Sequence, residues 1–153
     1  MSFKKYMKDY IENLKEHIFE SIQFNNYIQF NKFINMYKGD INFKDSFNGL
    51  TPFMYAVYYD RKPMLELLFE KGVNVNLKND DGETALIMAA ILNRYYMVVD
   101  LINLYNADIF ITDSDNLFFT DHLDETYLEI FKEDYPTQYN EILVRKNAQK
   151  YNL

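Results

Sequence analysis

The sequence predicts an all-α solenoid: helix-turn-helix repeats stacked in series, short hairpin fingers between them, and atypical helical caps at both ends. Three observations carry this. The chain's four glycines form two pairs with one spacing, Gly39 with Gly72 and Gly49 with Gly82, each 33 residues apart. The same spacing relates Thr51 to Thr84, Phe53 to Leu86 and Ala56 to Ala89. A fixed period of this size marks a repeat architecture, in which each unit buries its apolar face only against its neighbours. Finally, 153 residues that are 48% hydrophobic and 18% aromatic suffice for one folded domain and do not describe a disordered chain.

The elements follow in chain order. Residues 3–14 form an added N-terminal helix, with Tyr6, Tyr10 and Leu14 at helical spacing. A divergent first repeat follows, with His17-Ile-Phe-Glu-Ser-Ile-Gln-Phe-Asn25 as its first helix and Phe33 to Asn42 closing it. Asn48-Gly49 makes a turn, Thr51 an N-cap, and Pro52 the first helical residue, where a missing N–H costs nothing. That helix runs to about Tyr59. The next repeat has Asp81-Gly82, Thr84 and a helix to Leu92. Asn25, Asp60 and Asn93 fall at equivalent helix ends and suit a left-handed turn. The second helices carry Leu65, Leu67 and Leu68, then Val98, Leu101 and Ile102, and end at Gly72 and Asn106. This alignment places one inserted residue between the two helices of the later repeat. Beyond Asn116 the pattern fades, since Phe118-Phe119-Thr120 stands where a capping Thr and Pro are expected. Leu123, Tyr127, Leu128 and Phe131 then suit one amphipathic helix. Pro136 starts another, with Tyr139, Ile142 and Leu143 inward and Arg145, Lys146 and Lys150 near its end. The organisation is one domain over 1–153: N-terminal helix and capping repeat 1–45, repeats 46–78 and 79–112, divergent C-terminal cap 113–153.

Gly49-Leu-Thr-Pro-Phe53, Gly82-Glu-Thr-Ala-Leu86, Val73-Asn-Val-Asn76 and Ala107-Asp-Ile109 resemble the opening and close of the ankyrin repeat over roughly 17–112. The resemblance implies stacked helix pairs with projecting fingers and a concave groove that receives a protein ligand. It departs from the family at Met54 and Ile87, where a histidine usually bonds the capping threonine.

Little in the chain points to chemistry. With no cysteine there is no disulfide, thiolate ligand or cysteine nucleophile. His17 and His122 are the only histidines, and each reads as a surface or satisfied side chain. Ser2, Ser21, Ser46 and Ser114 lack the context of a nucleophile, and no glycine-rich phosphate loop exists. Asp113-Ser-Asp115-Asn resembles the start of a calcium loop, but Asp124 stands where the bidentate Glu belongs. The expectation is no enzyme, no cofactor and no metal. A net charge of −7 argues against nucleic acid or an anionic membrane as partner. The longest apolar run, Ala85 to Leu92, is too short to span a bilayer. The expected compartment is the cytoplasm, or a host cell's cytoplasm after export without a signal.

The expected function is therefore non-catalytic protein binding by a monomer. From the resemblance, the groove positions are Gln23 and Phe24, Tyr58 and Tyr59, and Ile91 and Leu92. The finger positions are Phe47, Asn48 and Leu50, then Asp80, Asp81 and Glu83. Exposed aromatic and aliphatic side chains beside an acidic finger predict a protein partner with an apolar knob next to a basic patch. One alternative is an immunity or inhibitor protein that blocks a toxin's or another enzyme's active site. A small-ligand binder and a self-associating structural subunit are further alternatives.

Overall fold

A computed structural model of the chain describes residues 2–151. These residues are helical throughout, apart from connecting turns and one isolated antiparallel bridge between Thr112 and Phe118. The helices are α1 (Phe3–Gln23), α2 (Tyr27–Met36), α3 (Pro52–Tyr58), α4 (Lys62–Glu70), α5 (Ala85–Ile91), α6 (Tyr95–Asn103), α7 (Glu125–Asp134) and α8 (Pro136–Tyr151). A short 3-10 turn, Phe119–Asp121, precedes α7. Backbone contacts divide the chain into two compact units, Met1–Val75 and Asn76–Leu153.

In the first unit α1 packs on α2 and α3, and α3 and α2 pack on α4. Leu14, Ile18 and Ile22 of α1 recur at four-residue spacing and are buried, as are Phe30 and Ile34 of α2. Phe53, Ala56 and Val57 of α3, with Met64, Leu65 and Leu68 of α4, complete the buried set. The N-terminal helix does not stop near residue 14. Lys15 and Glu16 favour helix, and Lys15 pairs with Glu12 at 2.9 Å, so one 21-residue helix runs from the Ser2 cap to Gln23. Its first turns stand free: Tyr6 and Tyr10 are exposed, and only Leu14 of the expected stripe is buried.

In the second unit α5 packs on α6 and on the 3-10 turn, and α7 packs on α8. The core holds most of α5, Met97, Val98 and Leu101 of α6, and the rings of Phe118, Phe119 and Phe131. Phe119 meets Phe131 edge-on at 5.2 Å, and Tyr95 stacks on Tyr127 at 5.1 Å. Leu67 and Ile102, expected in the core, are only half-buried.

The caps follow the local physics. Thr51 and Thr84 accept the N–H groups of Met54 and Ile87 at 3.2 and 3.3 Å. Where the family's histidine is absent, the Met54 sulfur accepts the Thr51 N–H at 3.5 Å and closes the box from the other side. Asn25, Asp60 and Asn93 have φ of 55°, 57° and 54°, as their helix-end positions require. One register differs from expectation. Both helices of the later repeat keep the 33-residue offset, so the inserted residue falls after α6 and not between the helices. There the Tyr105 N–H reaches the Asp100 carbonyl and the Tyr105 ring is buried, which absorbs the extra residue before left-handed Asn106.

Candidate functional site

The expected partner-binding residues lie at first-helix ends and on fingers. In the first unit, Phe24 follows α1 and is 73% exposed, while Tyr58 ends α3 at 45%. Tyr59 is half-buried, its ring 5.0 Å from that of Tyr58 and beneath the Arg61 guanidinium. Arg61 also donates to the carbonyls of Ile22 and Gln23, both at 3.0 Å, and so satisfies the C-terminal end of α1. In the second unit Ile91 ends α5 and is 45% exposed, with Leu92 half-buried beside it. Each unit therefore presents a large apolar side chain one or two residues before a left-handed Asn or Asp.

The fingers share a design that the sequence reading missed. Asp45, Asn79 and Asp113 stand 34 residues apart, and each spends one side-chain oxygen on backbone N–H groups of its own turn. Asp45 Oδ1 accepts from Phe47, Asn48 and Leu50, at 3.1, 3.0 and 3.3 Å. Asn79 Oδ1 accepts from Asp81 and Glu83, and Asp113 Oδ1 from Asp115 and Leu117. The third finger is thus complete although Phe118 replaces the capping threonine. Asp121 there takes over the capping, with Oδ2 accepting the Phe118 N–H at 2.9 Å. A 34-residue register, in place of the 33 set by the glycines, would have revealed the series.

On the first finger Phe47 is 85% exposed and Asn48 is exposed, while Leu50 is half-buried. On the second, Asp80 and Asp81 face solvent; Glu83 is half-buried and accepts from the Asn79 amide at 2.9 Å, so it braces the turn.

Among the described residues the lowered carboxyls are those held by turns and helix caps. Burial alone would raise the Asp113 carboxyl; the N–H of Leu117, then His122 at 2.8 Å and the N–H of Asp115, hold it below the usual carboxylate range. Both oxygens of Asp113 are therefore engaged within the finger, which accounts for the residue without calcium. Asp124 is lowered by the N–H of Tyr127, which it caps, and by the Asn93 amide. Burial and the neighbouring Asp45 push the Tyr55 hydroxyl up to about 12, and burial with Asp134 does the same for Tyr95. Among the described residues no three acids or histidines converge as a metal site would need. No helix among them is long and apolar enough to cross a membrane.

Comparison with known proteins agrees with this geometry. The family model for ankyrin repeats, in three copies, matches residues 18–113, more than half of the chain. An ankyrin repeat-containing protein of Schizosaccharomyces pombe is 40% identical over 70 residues, 46% of this chain and 32% of that protein. A fowlpox virus protein named for its ankyrin repeats is 43% identical over 58 residues, 38% of this chain and 14% of the viral one. A rice protein named as a probable E3 ubiquitin-protein ligase is 36% identical over 63 residues, 41% of this chain and 12% of its own length. The matched segments thus span a third or less of these relatives. Ankyrin repeats generally serve as protein–protein interaction modules and are typically non-catalytic. With the repeat period, the threonine caps, the left-handed helix ends and the matched model all in agreement, the chain belongs to the ankyrin-repeat family.

Proposed function

We propose that the chain is a non-catalytic module that binds a protein partner through its first-helix ends and adjoining fingers. The observation that carries this is the exposure of a large apolar side chain at each first-helix end: Phe24 at the cap of α1, and Tyr58 and Ile91 at the matching last residues of α3 and α5. Large apolar side chains held in water at helix ends lose little entropy on docking, and tyrosine adds a polar handle. Phe47 and Asn48 on the first finger add exposed contact area, and the exposed carboxylates of Asp80 and Asp81 on the second select for basic groups on the partner. Leu50, Tyr59, Glu83 and Leu92 are half-buried, and their part is to support the exposed contacts.

The test is affinity capture from the source organism with the wild-type chain and a Tyr58→Ala, Tyr59→Ala, Ile91→Ser, Leu92→Ser variant of matching circular dichroism. The captured protein is then titrated in purified form against both. The expected outcome is a single partner whose affinity falls at least about a hundredfold in the variant, the size set by two or three lost anchors. Equal affinity for both would overturn the reading. The net charge of −7 and the acidic second finger favour inhibition of an enzyme with a basic active surface as a specific form of this function. Loss of the captured partner's activity at stoichiometric addition tests that form.

A further inference from the structure

The first unit contains a cleft of 310 Å³ between α1 and the first finger, which shares only Gln23 with the helix-end positions named above. Its floor is aromatic. Phe19 lies 4.5 Å from Tyr55 and 5.3 Å edge-on from Phe43, so the rings are fixed before any ligand arrives. Its rim is acidic. Glu12, Glu16 and Glu20 line it at four-residue spacing along one face of α1, with His17 3.1 Å from Glu20; Asp45 also lines it, but one oxygen is held by the N–H groups of its own turn and the other is buried. Against the three glutamates the cleft has two ammonium groups, Lys15 and Lys44, and the Asp45 charge adds to the negative side from within the finger. Lys15 is already paired with Glu12 at 2.9 Å and lies over the Phe43 ring at 5.5 Å. The chain's own lysine thus holds its ammonium at the cleft's edge between a glutamate and an aromatic ring. Phe47 closes the finger side and stands 85% exposed on a turn pinned by Asp45.

We propose that this cleft receives a lysine- or arginine-bearing peptide segment of a protein partner, with the side-chain methylenes along Phe19 and Phe47 and the cationic heads among the glutamates. Charge complementarity selects the occupant. An anionic lipid or nucleic acid meets a repulsive rim, and a purely apolar segment leaves the carboxylates unanswered. The inference rests on the protein-binding reading and shares Phe47 with it, but it concerns residues that the helix-end variant leaves intact.

Three fluorescein-labelled nine-residue peptides, built from Lys-Leu-Gly, Ser-Leu-Gly or Glu-Leu-Gly triplets, serve as probes in anisotropy titrations. The lysine peptide is expected to bind at least about tenfold more tightly than the other two. Glu12→Gln, Glu16→Gln, Glu20→Gln together should weaken it about tenfold. Glu66→Gln, Glu133→Gln, Glu141→Gln, the same charge change at exposed sites elsewhere, should leave it within about twofold. Phe47→Ser should weaken it severalfold, and Ile91→Ser with Leu92→Ser, whose residues do not line the cleft, should bind as the wild type does. Amide shifts on peptide addition should cluster in residues 12–23 and 44–55, a readout that needs no variant to fold. Equal loss in both glutamine variants, equal binding of the serine peptide, or shifts centred elsewhere would overturn the proposal. Peptide binding that survives in a variant blind to the natural partner keeps this cleft and the helix-end site distinct.

Discussion

At single residues, conformation and close approach decide which side chain is allowed. Gly72 and Gly82 both have φ near 80°, 80° and 79°, which L side chains adopt only at a cost. Their surroundings differ. A Cβ at Gly72 meets nothing within 4 Å, whereas at Gly82 it would lie 2.6 Å from the Ser114 backbone nitrogen. That nitrogen donates to the Asp81 carbonyl at 3.2 Å, so it cannot retreat without losing a link between successive fingers. Gly72→Ala should cost about 1 kcal/mol, the backbone penalty alone, and Gly82→Ala about 3 kcal/mol or more, by urea unfolding. Equal losses would show that the backbone term alone acts at both sites. Arg61→Met tests the other kind of residue, one that spans elements. It keeps the stem but strips two donors from the carbonyls of Ile22 and Gln23, and should cost about 1–3 kcal/mol. Gly39, paired with Gly72 by spacing alone, is not left-handed, because α2 ends earlier, at Met36. Spacing locates a glycine; only the helix end beside it says whether its freedom is used.

Among elements, the fingers and caps show what was legible and what was not. Both threonine-capped helices, the two C-terminal helices and the left-handed helix ends follow from local chemistry, and local chemistry is what one sequence displays. The long α1 was misread because its two halves carry different patterns: an exposed N-terminal half with free tyrosines, then a buried one. That division hid the Glu12, Glu16, Glu20 face. The third finger was obscured because its capping acceptor comes from three residues ahead, the Asp121 carboxylate, and not from the residue at the expected place. The Asp113 finger offers a sharp test. The Asn79 finger shows that an amide can hold the same turn, so Asp113→Asn should keep it and lose only the charge-assisted bond to His122, about 1 kcal/mol. Asp113→Ala removes every acceptor and should cost about 2–4 kcal/mol. The Asp113 carboxyl is held below its ordinary value, so its contribution is present above the unfolded-state pKa of about 3.9 and fades as pH falls toward the folded value. The wild type should therefore lose more stability than Asp113→Asn as pH falls below about 4, measured by chemical unfolding at stepped pH.

For the molecule as a whole, the proposed function divides the work of binding between charge and apolar surface. Twenty-three acids against sixteen bases give −7, a field that acts at range and hastens the encounter with a basic surface. In the proposed function Phe24, Tyr58 and Ile91 act only on contact, where they would govern how long a complex lasts. The two contributions answer to different perturbations. Raising salt from about 0.05 to 0.5 M shortens the screening length from roughly 14 to 4 Å, so the association rate with the captured partner should fall about tenfold or more. The dissociation rate should change by less than about threefold over the same range, because desolvated apolar contacts are little screened. Asp80→Asn with Asp81→Asn should reproduce part of the salt effect on association and leave dissociation nearly untouched, since both side chains are exposed on their finger. Tyr58→Ala should do the reverse. Stopped-flow association and surface-immobilised dissociation measure the two rates separately. If salt instead acts mainly on dissociation, the acidic groups lie inside the contact, and the steering role assigned to the net charge fails.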